Sequence, residues 1–134
     1  MSAALSLQTA LIAALRADSP LTTLLGGPAI HDGAPQDAAL PHVVLADLAS
    51  LEYSDASNEG EEHFATFLVW SRTGGRRQAL EVLAAMTAVL DEAALALSGH
   101  ALINLRVERT EARRQADGET WRGLMRLRAV TEPL

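Results

Sequence analysis

The alternation of apolar and polar positions divides the chain into helical and extended segments. Over residues 3–17, Leu7, Leu11, Ala14 and Leu15 fall on one stripe, with Leu5 and Ile12 at its edge. Ser6, Thr9 and Arg16 fall opposite, so the spacing predicts an amphipathic helix. Pro20 follows and is read as its stop, and residues 21–25 form a short apolar turn closed by Gly26-Gly27-Pro28. Ala29-Ile30-His31 reads as a very short strand before a loop carrying Pro35 and Pro41.

Residues 42–48 form a second strand with both faces partly apolar. In the clearest strand, residues 63–71, Phe64, Leu68 and Trp70 share one face and Phe67 and Val69 the other. Such a strand is covered on both sides, by its own helix and by a neighbouring subunit. Thr73-Gly74-Gly75 opens a second helix, residues 76–91, whose stripe is Ala79, Val82, Leu83, Met86, Val89 and Leu90. Gly99 is a stop, after a frayed turn over 93–99.

Residues 101–131 form a long hairpin around Asp117-Gly118, with Ile103, Leu105 and Val107 alternating on one arm and Met125, Leu127 and Ala129 on the other. A two-residue turn would set Val107 against Arg128. A three-residue loop sets it against Ala129, so a longer loop or a bulge is expected. The order helix, short strand, two strands, helix, two strands predicts an α+β fold. It is a mainly antiparallel sheet with two helices packed on one face and a long C-terminal β-hairpin, in a single domain spanning residues 1–134.

Composition narrows the chemistry. At 134 residues and 49% hydrophobic, the chain can build a core without cross-links. It has no cysteine, which excludes a disulfide framework, a thiol nucleophile and thiolate metal ligation. No apolar run approaches the roughly 20 residues of a membrane span, and the N-terminus lacks the layout of a signal peptide. The four histidines, His31, His42, His63 and His100, show no metal-ligand spacing. No nucleophile elbow occurs. Gly74-Gly75-Arg76-Arg77 lacks the pattern of a phosphate loop. The acidic stretch 49–62 includes Asp55, Glu59, Glu61 and Glu62 and lacks the ligand alternation of a calcium loop. It is expected to be a mobile acidic loop that orders against a partner. No catalytic residue, metal or cofactor is expected.

Charge is unevenly spread. The net charge is −6, and all eleven basic residues are arginine. Residues 1–105 carry −8, whereas the remainder carries +2, with seven arginines. One reading is an exposed ribbon laced by cross-strand ion pairs. The other is a self-complementary surface, with the arginine-rich arm of one subunit against the acidic body of the next, a head-to-tail contact that can close into a ring. Its expected interface residues are Arg109, Arg113, Arg122 and Arg126, with Trp121 as a large apolar anchor near the tip.

Several segments in order resemble the small tail-completion, or tail-terminator, family of long-tailed phages and gene transfer agents. They are Leu7-Gln8; Ile30-His31-Asp32; Pro41-His42-Val43-Val44-Leu45; and Phe67-Leu68-Val69-Trp70-Ser71 running into Gly75-Arg76-Arg77-Gln78-Ala79. Asp117-Gly118-Glu119-Thr120-Trp121-Arg122-Gly123 and Arg126-Leu127-Arg128-Ala129 complete the set. The chain departs from the family in lacking a glycine over residues 45–48 and in its arginine-rich hairpin tip.

The resemblance implies a non-enzymatic subunit, made in the bacterial cytoplasm, that forms a ring, usually a hexamer, at the head-proximal end of the tail tube. It implies contacts with the tube protein and with a head-completion or stopper protein, and DNA passing through the lumen without sequence-specific binding. A place as the head-completion or stopper protein itself, or as another head–tail adaptor, is the alternative. Six chains at −6 each would carry −36, which discourages DNA from adhering.

Overall fold

The computed structural model describes residues 1–33, 35–54 and 59–134. Its centre is a strand, β3 (Glu61–Ser71), in which His63, Ala65, Phe67, Val69 and Ser71 are buried while the residues between them are only partly covered. That period of two gives the sheet one sealed face and one open face. On one side β3 pairs antiparallel with β2 (His42–Glu52), which carries the two-residue parallel strand β1 (Ile30–His31) on its far edge. On the other side β3 pairs antiparallel with β5 (Trp121–Pro133), and β5 with β4 (His100–Arg114). The strand order is β1-β2-β3-β5-β4, so the sheet is mainly antiparallel and the fold is α+β, as the pattern predicts.

Three helices, not two, seal the inner face: α1 (Ala3–Arg16), α2 (Ser19–Leu25) and α3 (Gly75–Leu90). The segment read as an apolar turn is α2. Asp18 caps it by accepting the N–H of Leu21 at 3.0 Å, Pro20 sits in its first turn, and Gly26 closes it at φ 78°. Pro20 therefore begins a helix rather than ending one, because a first-turn proline gives up no hydrogen bond. The core joins Leu7, Leu11 and Leu15 of α1, Leu21 and Leu25 of α2, and Val82, Leu83, Met86 and Leu90 of α3 to Phe67, Val69, Met125 and Leu127 of the sheet. Full burial of each such side chain contributes roughly 1.5–3 kcal/mol. Ser6, assigned to the solvent side, is buried, and its hydroxyl donates to the carbonyl of Ser98 at 2.8 Å.

Two strands are longer than the composition suggests. β2 continues to Glu52, with Ala49, Ser50 and Leu51 opposite Phe64, His63 and Glu62. Glu61 and Glu62 therefore belong to β3 rather than to a mobile loop, because ladder pairing overrides their polarity. The connection narrows to residues 53–60, closed by the Tyr53 N–H on the Gly60 carbonyl at 2.8 Å. Of the acidic residues assigned to it, Glu59 remains there, and Asp55 lies outside the described residues.

The β4–β5 hairpin carries the register changes expected of it, but not the expected pair. Near the tip Arg113 faces Arg122 and Arg109 faces Arg126, the register a two-residue turn would give. The connection is nevertheless six residues, 115–120. Irregularities at Val107/Arg109 and Leu102/Asn104 then shift the pairing, so Val107 faces Leu127 rather than Ala129. Each shift inserts one residue in β4, Glu108 and Ile103 respectively, which keeps Leu105 and Val107 opposite the inward-facing Ala129 and Leu127. Along the outer edge of β4, the Glu92 N–H donates to the Leu105 carbonyl at 2.9 Å and the Asp91 carboxylate accepts from the Val107 N–H at 2.9 Å, which occupies that edge next to the core.

At Gly123 α3 packs tightly on the sheet: a Cβ there would stand 3.0 Å from Val69 Cβ and 3.2 Å from Leu83 Cδ1. Gly123→Val is expected to destabilise the chain by about 1–3 kcal/mol through overpacking, read as a lower urea midpoint. An unchanged midpoint would show that α3 has room to move.

The hairpin loop gives a second expectation. The Asp117 carboxylate accepts the N–H groups of Thr120 (2.8 Å) and Glu119 (2.9 Å) and the Thr120 hydroxyl (2.7 Å). These bonds, led by those from Thr120, hold its pKa at about 2, below the ordinary 3.8. The folded value is the lower one, so the loop's gain from the carboxylate is complete above pH 3.8 and is lost as pH falls towards 2. The amide resonances of Glu119 and Thr120 should titrate within that window and stay flat in Asp117→Asn. Titration at the ordinary carboxylate value would refute the loop geometry.

Candidate functional site: the open face of the sheet

The face of the sheet opposite the helices carries the arginines singled out by the sequence. Alternation along β5 sends Met125, Leu127 and Ala129 inward, so Arg122, Leu124, Arg126 and Arg128 point outward. On β4 the inserted Glu108 lets Arg106 and then Arg109, Glu111 and Arg113 share that face. β3 adds Glu62, Phe64, Leu68 and Trp70 beside them.

The registers create an unusual juxtaposition. Arg106 lies directly opposite Arg128, Arg109 opposite Arg126, and Arg113 opposite Arg122. Like charges in directly opposed positions disfavour the pairing. Glutamates relieve part of this: Glu62 holds Arg128 at 2.6 Å, Glu108 meets Arg126 at 3.3 Å, and Glu111 meets Arg109 at 3.1 Å and Arg113 at 3.4 Å. The six arginines and three glutamates leave a local charge of +3, against −9 for the rest of the chain. Among the described residues Arg106 and Arg122 have no acidic partner, and the Nε of Arg122 is buried without an acceptor. The stems also cover aromatic surface, with the Arg126 guanidinium 4.8 Å from the Phe64 ring and Arg128 5.5 Å from Tyr53.

Arg109, Arg113, Arg122 and Arg126 thus come together on one face, and Trp121 does not join them. Expected as an exposed anchor near the tip, Trp121 is instead 8% exposed on the helix side, with Arg76 at 4.5 Å and Arg114 at 5.2 Å from its ring. The period of two requires this, because 121 shares its parity with Met125 and Leu127. Arg106 and Arg128 complete the site and were absent from the residues expected at the interface; the register that pairs them depends on bulges that spacing alone does not locate.

The titratable groups elsewhere have structural roles. His63 is fully buried between the hydroxyls of Ser50 (2.7 Å) and Thr131 (2.9 Å). Burial is the main cause of its lowered pKa, with Glu61 opposing and His100 adding. The ring is therefore neutral near pH 7, and Glu61 at 3.7 Å is a polar neighbour rather than an ion-pair partner. His31 and His42 meet edge to face at 5.7 Å. No cluster of three metal-ligating side chains occurs among the described residues. A shallow cleft of about 630 Å³ between the proline loop and the hairpin loop, lined by Asp37, His42, Trp70, Arg72 and Asp117, is open to solvent.

Comparison with known proteins agrees with this architecture. A chain of the virion of a native gene transfer agent particle is 30% identical, covers 98% of this chain and 99% of its own length, and superposes with a TM-score of 0.87. The gp17 protein of bacteriophage SPP1, 21% identical over 95% of this chain and 89% of its own, shares the fold with a TM-score of 0.64. No curated protein matches in sequence. Residues 9–132 match the family described as tail completion protein gp17, and the chain belongs to that family.

Proposed function

We propose that this protein is a structural tail terminator: a non-enzymatic subunit that forms a ring, a hexamer, at the head-proximal end of a phage-like tail tube. The ring ends tube polymerisation and joins the tail to the stopper protein of the head, with DNA passing through its lumen. Family membership and the full-length likeness to a chain of a gene transfer agent virion support a place in the tail of such a particle. The observation that carries the ring is the open sheet face, where Arg109, Arg113, Arg122 and Arg126 stand in opposed pairs on an otherwise acidic chain. A contact between such a face and an acidic surface elsewhere on the same chain is heterologous, and six such contacts close a ring if the rotation between copies is 60°.

Half-buried Phe64, Leu68 and Trp70 beside the arginines supply apolar area for that contact, while the charges set partner and register. The same reading assigns the remaining ring surfaces to the tube protein and the stopper protein.

The test separates assembly from folding. Arg113→Glu with Arg122→Glu is expected to abolish rings, followed by native mass spectrometry and by the length distribution of tubes grown with the tube protein. The melting curve should stay close to that of the parent chain, since Arg113 is exposed and neither residue belongs to the core. Trp121→Ala should do the reverse first: its enclosure beneath Arg76 makes the loss one of stability, about 3–5 kcal/mol. Normal rings and capped tubes from the double arginine variant would overturn the ring reading.

A further inference from the structure

We propose that the arginine-paired face receives the acidic end of the sheet of a second copy of this chain. There the β2–β3 ladder closes with its own opposed like charges, Glu52 against Glu61, flanked by Glu59 and Glu132. This deepens the ring reading and rests on it. The two surfaces have the same defect with opposite signs. From the hairpin end along the open face, three arginine pairs with their glutamates leave +3 and one guanidinium Nε without an acceptor. At the opposite end of the sheet, Glu59, Glu61 and Glu132 line an open pocket of about 310 Å³, and Glu52 faces Glu61 across the ladder.

Arg128, at the near end of the arginine face, already pairs with Glu62 at 2.6 Å, but the Arg113–Arg122 pair cannot reach the acidic end of its own chain. β3 carries Ser71 beside the start of β5 at the hairpin-loop end and Glu61 beside Thr131 at the other, so ten residues of extended strand, roughly 33 Å, separate them. The Arg113–Arg122 pair and the Glu52–Glu61 pair therefore need a different molecule, and one kind of contact between copies neutralises both.

Large apolar side chains are also exposed at the acidic end. Leu51 is 57% and Tyr53 54% exposed, adjacent in sequence to Glu52. Leu51 lies opposite Glu62 and Tyr53 stands 5.5 Å from the Arg128 guanidinium, so both apolar side chains sit where the arginine face meets the carboxylates of the acidic end. Duplex DNA would satisfy the arginines but would leave Glu52, Glu59 and Glu61 unpaired and Leu51 and Tyr53 exposed, so the second copy fits more of the surface.

The contact is head-to-tail, which gives a two-component test. One variant carries Arg113→Glu and Arg122→Glu; the other carries Glu52→Arg and Glu59→Arg. Each alone presents like charges at its contact and should lose assembly about tenfold or more. An equimolar mixture should assemble again as an alternating ring, and so should a single chain carrying all four changes. Melting curves establish that each variant folds.

If the parent chain forms rings, the arginine variant does not, and neither mixture nor quadruple variant restores them, the assignment of the acidic end falls while the ring reading stands. A parent chain that forms no rings with its tube protein removes both. Full assembly of the arginine variant, with loss only of duplex DNA retention, would identify the face as a phosphate surface and overturn the proposal.

Discussion

The inside–outside alternation of β3 is the constraint on which the rest of the molecule depends. Its odd-numbered residues from His63 to Ser71 are buried, and Phe67 and Val69 among them belong to the core that α3 covers directly and that α1 and α2 complete by packing on α3. With every helix on that side, the even-numbered side chains and their neighbours on β5 and β4 have no cover from their own chain. A sheet that bears phenylalanine, leucine and tryptophan on its uncovered face ordinarily acquires that cover from another molecule. The open face is therefore a consequence of how the core is built, and its arginines are where they are because the same register buries Met125 and Leu127.

That register also has an energetic cost. Each directly opposed pair of like charges disfavours the ladder by an amount of order 0.2–1 kcal/mol, and three occur in succession. The glutamates at 62, 108 and 111 offset part of it, yet the solvent-exposed pairs of Glu108 and Glu111 contribute only about 0–1 kcal/mol. Nothing in the packing of the inner face requires arginine at these positions, since their guanidinium groups lie on the opposite side. Threonine or valine would suit the strands better. A charge arrangement unfavourable to the free subunit and unnecessary for its core is what a surface committed to an anionic partner looks like.

Hydrophobic periodicity made the architecture legible wherever it was strong. β3, the α3 stripe from Ala79 to Leu90, the two-residue strand at Ile30 and the C-terminal hairpin are all readable from spacing. Among the features misread, three show a second principle outranking the first. Pro20 looked like a stop, and Asp18 two residues before it made it a start. Ser50, Glu61 and Glu62 looked like a loop, and ladder pairing with hydroxyl–imidazole bonding at His63 made them strand. Trp121 looked like an exposed anchor, although its parity with Met125 already placed it inside. The site was half legible: the arginines were visible as a cluster. Their opposition depends on where the bulges at Ile103 and Glu108 fall, which no local sequence feature announces.

The same charge partition bears on how a ring of these chains would meet DNA. Composition gives −6 per chain, but that figure averages a +3 face with a −9 remainder. If the +3 face lies in the contact between copies, it is matched there by Glu52, Glu59 and Glu61 and removed from solvent. The surface left exposed is then poor in cations, because few of the remaining arginines are free: Arg16 donates to the Ile30 carbonyl at 2.9 Å, Arg77 pairs with Glu81, and Arg76 and Arg114 stack on Trp121. Phosphate binding needs clustered, accessible cations whose association releases counterions. An assembly that uses its arginines to hold copies together has few left to hold DNA, so a channel lined by it would let the duplex slide. The absence of lysine points the same way: guanidinium groups suit fixed, planar pairing with carboxylates at an interface, whereas a flexible ammonium on a channel wall would be free to follow passing phosphates.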